Sequence, residues 1–551
     1  MVRLSQERRQ RFQTVMQMGV DSWSLFTGKC TGPSCLHWIA QTAWDNGIET
    51  CERPISTISG CDNDECSIHV MVNFRVPDAH GRLKHGFRHV FPSVQSMTSD
   101  TAQAKLDQLR PPKSASNEAK QLAYLAMREY LYNNLDEVFG GSGLTPKGEC
   151  RFCQTANKQC KKCPIFDERL ETKIEGVVDL TTDSQSLQCP PNCIHAHEEC
   201  NSQDSQKTLV LDECMPTQKK LHERPHFTLI EFGSQCVDVS SYGLRQILGG
   251  PSAEPFYICM AMLLHFEPHG FCSEIAALMT KDVVATEIGH KFQCIEGNVE
   301  PWLFGKPVKR PSVMTWGVFR KKVEFHGSYE EFLSLSRTAT VSDGSVYYLL
   351  DGERASERLE LARLQGNHHN EDIQPPIESC FTGSKLARVE ERISKASQHA
   401  STDGVYLFDA DATHGFCEGS CLVPTLASHG TILLVAEKDP SGGRPSVKIM
   451  SSTEHLIVAG EPLGPKPGRF KSFIAESVLD MAPTEKKRAA GDAFDATCFG
   501  LWMMYFLCNV TLKDDLPEPD SKNNEGDLLQ DTDQDPLEEK TSKRPRTEDY
   551  V

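Results

Sequence analysis

Eight of the chain's 22 cysteines lie between Cys150 and Cys214, and that clustering constrains the fold more than any other feature of the 551 residues. An even spread would put roughly three there. Two CxxC pairs, Cys150/Cys153 and Cys160/Cys163, form short knuckles that can each aim two thiolates at one ion. Tetrahedral Zn²⁺ takes four such ligands at about 2.3 Å, so these four residues predict a structural zinc site. Lys158, Lys161 and Lys162 surround them, and nearby cations favour the thiolate that a metal needs. Cys189, Cys193, His195, His197 and Cys200 offer ligands for a second zinc, with Cys214 as an additional arm. Two looser half-sites, Cys30/Cys35/His37 and Cys61/Cys66/His69, read either as zinc ligands or as small buried hydrophobes.

Between the two clusters runs Val177-Val178-Asp179-Leu180-Thr181, followed by Asp183 and Ser184. Apolar residues of strong strand preference ahead of acidic ones can add as an edge strand to a partner's sheet. The segment resembles the SUMO-interacting motif. That resemblance implies docking on SUMO or SUMO-modified partners through Val177, Val178, Asp179, Leu180 and Thr181.

Hydrophobic content of 39% and charged content of 24% are those of a globular protein. The formal net charge is −18, and residues 511–551 supply −7 of it, with 13 acids against six bases. No part of the chain is globally basic, so nucleic-acid binding would need a local patch. Arg151, Lys158, Lys161 and Lys162 beside Phe152 form one candidate. The first residues lack the apolar core of a signal peptide. The apolar run Cys498–Cys508 is about half a membrane span. These features predict an intracellular protein without membrane partners, whose cysteines serve metal rather than disulfides. Lys543, Arg544 and Arg546 in the acidic tail, and Lys486, Lys487 and Arg488 upstream, have the composition that nuclear import receptors read, which predicts nuclear localisation.

The patterning predicts an α+β, multidomain chain. An N-terminal α+β domain spans residues 1–145, a cysteine-rich zinc module 146–220, a C-terminal α+β domain 225–510, and a disordered acidic tail 511–551. Ile68–Val76 alternates and reads as a strand, whereas Ser116 begins a helix with Leu122, Leu125 and Leu131 on its apolar stripe. Helices are expected around Tyr257–Phe266, Ser273–Met279, Arg354–Gln365 and Lys385–Lys395. Strands are expected at Ser345–Leu350, Gly404–Phe408 and Thr431–Ala436.

No GxxxxGK[ST], GxGxxG, HExxH or GxSxG signature occurs, which removes the familiar phosphate, dinucleotide and metalloprotease chemistries. A cysteine nucleophile remains. Cys236 precedes an apolar helix-like run, where a helix N-terminus would stabilise its thiolate. Asp409 and His414 follow a later strand, offering a base and an orienting acid. Gly233, Gln235 and Cys236, with Phe408, Asp409 and His414, resemble the deubiquitinating thiol peptidase of herpesvirus large tegument proteins. In this chain extra residues separate acid from histidine. His414 with Cys417 and Cys421 also reads as a metal site. The sequence thus predicts a nuclear, zinc-binding regulatory protein that docks SUMO. A thiol peptidase acting on ubiquitin-like conjugates and a zinc-dependent DNA-binding regulator are the alternatives.

Overall fold

The computed structural model describes residues 4–26, 28–77, 83–91, 93–140, 226–233, 250–276, 282–338, 344–347, 349–364, 380–399, 405–410, 421–426, 433–437, 441, 443–464 and 470–513. Fourteen strands occur among them: β1 (Val20–Leu25), β2 (Ile55–Cys61), β3 (Arg75–Pro77), β4 (Leu83–His85), β5 (Phe87–Phe91), β6 (Phe227–Gly233), β7 (Gly270–Ala276), β8 (Phe292–Val299), β9 (Ser312–Phe319), β10 (Val323–Phe325), β11 (Val405–Asp409), β12 (Leu433–Glu437), β13 (Ser446–Ile449) and β14 (Val510–Leu512). Seven form one sheet in the order β5-β2-β1-β6-β7-β9-β8. The first five are mutually parallel. Strand β9 runs antiparallel to both β7 and β8.

Such a sheet must be covered on both faces, because parallel strands are joined by crossovers that lie on the faces. One face packs against helices Asp100–Leu109, Asn117–Asn133 and Ala253–Phe266, through Trp23, Ile230, Phe232 and Phe271. The other packs against Gln6–Met18, Thr31–Asp45 and Ala496–Leu507, through Phe227, Leu229, Met314 and Trp316. Trp316 and Trp502 are both fully buried, with ring centroids 3.7 Å apart. The register Val20↔Phe227 to Leu25↔Phe232 joins strands from either side of residues 146–220 into this one sheet.

A second, antiparallel sheet, β11-β12-β13, packs against helix Gly383–His399 through Phe408, Leu434, Val389 and Ile393. The α and β content agrees with the expected class. The expected zinc module lies outside the described residues, as does nearly all of the expected disordered tail.

Three expectations at the level of elements are corrected. Residues Glu65–Asn73 form a helix, not a strand, because Asp64 caps it by accepting from Ser67 N–H at 3.0 Å. Its alternating look came from Ile68, Val70 and Val72, yet Ile68, Met71 and Val72 also satisfy helical spacing. Conversely, Ser273–Ala276 belongs to β7, because a strand between β6 and β9 is buried on both faces and loses its alternation. Ser345–Tyr347 lies in a 3₁₀ turn. The remaining expected elements occur as Asn117–Asn133, Ala253–Phe266, Asp351–Leu364, Gly383–His399, β11 and β12.

Candidate functional site

In the sheet the chain moves outward from β1 through β2 to β5, then returns to β6 and moves outward the other way. The point of reversal lies between β1 and β6. The carboxyl side of such a reversal point is the usual ligand position in doubly wound sheets, and β1 and β6 both end there.

The loop after β1 is tightly constrained. Phe26 is left-handed at φ +58°, and its N–H donates to Cys61 O at 2.8 Å. Gly28 is also left-handed, and its N–H donates to Asp62 Oδ2 at 3.0 Å. Asp62, the first residue beyond β2, accepts a second bond from Asp64 N–H at 3.0 Å. Burial lifts its carboxyl to about 6, against the pull of these two amides. Asp492 faces the same loop: a side chain on Gly28 would meet its carbonyl oxygen at 2.9 Å. Burial, and then the neighbouring Asp62 and Asp64, raise Asp492 to about 7. Arg488 meets Asp64 at 2.7 Å. Next to Gly28, Lys29 is fully buried, donating to Leu456 O at 3.5 Å and lying 3.6 Å from Glu461. Burial lowers Lys29 to about 8, although Glu461 opposes that shift.

Across the reversal point, β6 ends at Gly233, which must lack a side chain because a Cβ would lie 2.3 Å from the Phe494 ring. Near the end of β7, buried Glu274 accepts from the Ser312 hydroxyl at 2.5 Å and lies 3.9 Å from Arg310 Nε. Burial raises the Glu274 carboxyl above the usual range, with Arg310 and Ser312 working against the shift. Arg310 also donates to Gly491 O at 3.2 Å. Lys306 pairs with Asp495 at 2.6 Å. Asp495 in turn caps helix Ala496–Leu507 through the N–H groups of Thr497 and Cys498, both at 3.0 Å. The segment Gly491–Asp495 therefore crosses the carboxyl edge and touches loops from both halves of the sheet.

The sequence-predicted residues fall elsewhere or outside the described residues. Asp409 ends β11, in the three-stranded sheet, and its backbone carbonyl accepts from Arg392 at 2.6 Å. Strand β6, which leads toward Cys236, belongs to the other sheet. Cys236 and His414 lie outside the described residues. So do Cys150, Cys153, Cys160, Cys163, Cys189, Cys193, His195, His197, Cys200, Val177, Val178, Asp179, Leu180, Thr181, Lys543, Arg544 and Arg546. Among the described residues no group of three or more His, Cys, Asp or Glu side chains could hold a metal, which corrects the zinc reading of Cys30/Cys35/His37 and Cys61/Cys66/His69. Cys30, Cys35 and Cys61 are buried in the core instead. Lys486 and Lys487 do not form an exposed import signal. They are buried and face Glu353 at 3.6 Å and Glu357 at 3.0 Å.

Sequence reasoning missed Asp62, Glu274, Arg310 and Asp492. Glu274 alone left a signal, as a carboxylate inside an apolar strand (Phe271-Cys-Ser-Glu-Ile-Ala) where only a partnered or functional acid is tolerated.

No family model and no curated protein matches this sequence. Solved structures do align. The Dnmt2 methyltransferase of S. pombe shares 13% identity, over 51% of this chain and 77% of its own, at a TM-score of 0.29. The Entamoeba histolytica methyltransferase EhMeth shares 12%, over 55% and 81%, at 0.27. A provisionally assigned DNA modification methyltransferase from an E. coli prophage shares 10%, over 89% and 97%, at 0.35. Alignments at these scores assign no activity to the chain. The neighbours named are methyltransferases, and no SUMO-docking regulator, thiol peptidase or zinc-dependent DNA-binding regulator stands among them. The functional expectation drawn from the sequence is corrected accordingly.

Proposed function

We propose that this chain is a methyltransferase. In this reading it binds a nucleoside-bearing sulfonium donor, S-adenosylmethionine in the simplest case, in the crevice between β1 and β6. The observation that carries the reading is a doubly wound strand order whose reversal point is lined by carboxylates. Doubly wound crevices take nucleotide-like ligands, but Asp62, Asp64 and Asp492 beside Gly28 would repel a pyrophosphate or a triphosphate. The same carboxylates suit a nucleoside that carries positive charge and no phosphate. The absence of GxGxxG and P-loop signatures points the same way.

When bound, such a donor supplies an electrophilic methyl carbon. The chain's own groups then have to activate an acceptor. Cys236 follows the end of β6 by three residues in the sequence, within about 11 Å of Gly233 even when fully extended. A thiol nucleophile there, a buried Glu274 carboxyl biased toward its protonated form, and the Arg310 guanidinium together suit a pyrimidine-type base. The thiolate would add to a ring carbon while the carboxylic acid hydrogen-bonds a ring nitrogen and the guanidinium faces a carbonyl oxygen. The adjacent ring carbon would then take the methyl group as the donor departs as its neutral thioether, and loss of that carbon's proton to water would expel the thiolate.

The test uses the purified full-length chain. Calorimetry should show S-adenosylmethionine binding, and labelled methyl groups should pass to DNA or RNA. Cys236→Ser should abolish transfer while leaving donor binding within about twofold of wild type, since nucleophile and donor contacts are separate. No donor binding at millimolar concentration would overturn the reading. Transfer that survives in Cys236→Ser would remove Cys236 from the proposal.

A further inference from the structure

Glu231 lies in the middle of β6, fully buried, and the site described above does not use it. Its carboxyl points across the sheet at the first turn of helix Thr31–Asp45. A methyl group on Gly32 would lie 1.3 Å from Glu231 Oε2 and 2.5 Å from the carboxyl carbon. Any side chain at position 32 would thus overlap the carboxyl group. The Ser24 hydroxyl on β1 lies alongside, yet neither carboxyl oxygen has a hydrogen bond of normal geometry. A buried carboxyl in that condition is costly, and a purely structural role would remove the cost by substituting an apolar residue. Helix Thr31–Asp45 begins immediately after the loop Phe26–Cys30, in which Phe26, Gly28 and Cys30 are left-handed and Gly28 N–H meets Asp62. The height of that first turn above the sheet therefore fixes where the Gly28 and Lys29 backbone stands at the crevice.

We propose that Glu231 is a positioning residue for the donor. Its carboxyl, seated under Gly32, acts as the stop against which the first turn of helix Thr31–Asp45 rests, and so holds the loop that lines the crevice. This rests on the methyltransferase reading for the identity of the ligand, but not for the contact itself. Burial raises the carboxyl well above its usual range and so favours the neutral acid. An amide of the same shape should replace it.

The experiment compares wild type with Gly32→Ala, Glu231→Gln, Glu231→Ala and the double variant Gly32→Ala/Glu231→Ala, all as full-length protein. Two readouts are taken: S-adenosylmethionine Kd by calorimetry, and hydrogen exchange of the amides of residues 28–33 without ligand. Gly32→Ala should weaken binding at least about tenfold and speed exchange in that segment, and the double variant should recover to the level of Glu231→Ala, because the overlap is gone. Glu231→Gln should bind within about twofold of wild type across pH 6–8, while Glu231→Ala should lose about fivefold, since the loop keeps its fold but loses its stop. Equal Kd for wild type and Glu231→Ala, or a double variant no better than Gly32→Ala, would overturn the proposal. If wild type itself binds no donor, the functional reading fails alone and the exchange arm decides this one: unchanged exchange in Gly32→Ala overturns it. Should Gly32→Ala fail to fold, recovery of folding in the double variant supports the contact, and no recovery counts against it.

Discussion

The two larger sheets are stabilised by different physics. The seven-stranded sheet is sandwiched between apolar clusters on both faces, and Asp62, Glu274 and Arg310 stand toward its carboxyl edge. The three-stranded sheet has a small apolar layer under helix Gly383–His399. The preceding helix, Asp351–Leu364, is joined to the rest of the molecule through buried charge. Arg354 meets Glu454 at 2.5 Å, and Lys487 meets Glu357 at 3.0 Å. Glu454 also accepts from the N–H groups of Leu349 and Leu350, at 2.7 and 2.9 Å. The first region should therefore answer chiefly to changes of volume and the second to changes of charge.

The largest expected effect breaks the first half of that comparison. Trp316 packs against Trp502, Phe332, Phe325 and Tyr505, so Trp316→Ala should cost about 3–5 kcal/mol. Denaturant titration followed by far-UV circular dichroism should show the midpoint falling. An unchanged midpoint would mean that the seven-stranded sheet does not depend on this layer.

The second effect tests the charged junction. Glu454→Gln leaves the Arg354 guanidinium without its buried counter-charge and should destabilise the junction by about 3 kcal/mol. Limited proteolysis should then cut within residues 340–480 faster than wild type, while the rest of the chain resists. Arg354→Met added to Glu454→Gln should restore part of the resistance, because the buried guanidinium is then gone as well. Uniform loss of resistance over the whole chain would show that the two regions are not separable in this way.

The smallest effect sharpens the picture of the carboxyl edge. The folded-state pKa of Asp62, about 6, stands above the ordinary aspartate value of 3.8. Below pH 4 the group is protonated in folded and unfolded chains alike and favours neither. As pH rises from about 4 through 6, the unfolded chain ionises first and the folded form loses stability, on the order of 3 kcal/mol. Asp62→Asn keeps an oxygen for Gly28 N–H but cannot ionise, so its melting temperature should gain on wild type between pH 4 and pH 7.5. A difference that stays constant with pH would show that Asp62 is not held protonated by burial.

Much of the helical structure was legible in the sequence, because caps and spacing act over a few residues. Ser116 accepts from Ala119 N–H at 3.2 Å, as a capping serine should. The same reading placed Leu122 on a buried stripe, yet it is 68% exposed, since Tyr124, Met127 and Leu131 define the face that docks. What was not legible was strand order. The pairing of β1 with β6 joins residues some two hundred positions apart, and no local pattern encodes it. Asp62, Arg310 and Asp492 are brought to the carboxyl edge only after that pairing is made, so each looked like an ordinary surface charge, and Glu274 alone stood out by its apolar neighbours. The cysteine clusters carried the strongest local signal and drew attention to residues 150–214, away from the sheet that builds the crevice.

The β1–β6 pairing also sets an order of events during synthesis. Strands β1, β2 and β5 leave the ribosome long before β6, and until residue 233 appears β1 carries an open edge able to pair with another chain. Trp502, which closes over Trp316, arrives only near the end of the described chain, and β14 joins β10 later still. Contacts so distant in sequence close slowly. The nascent protein must elongate by some two hundred residues with β1 half satisfied, a period in which holding chaperones would find a defined target at β1.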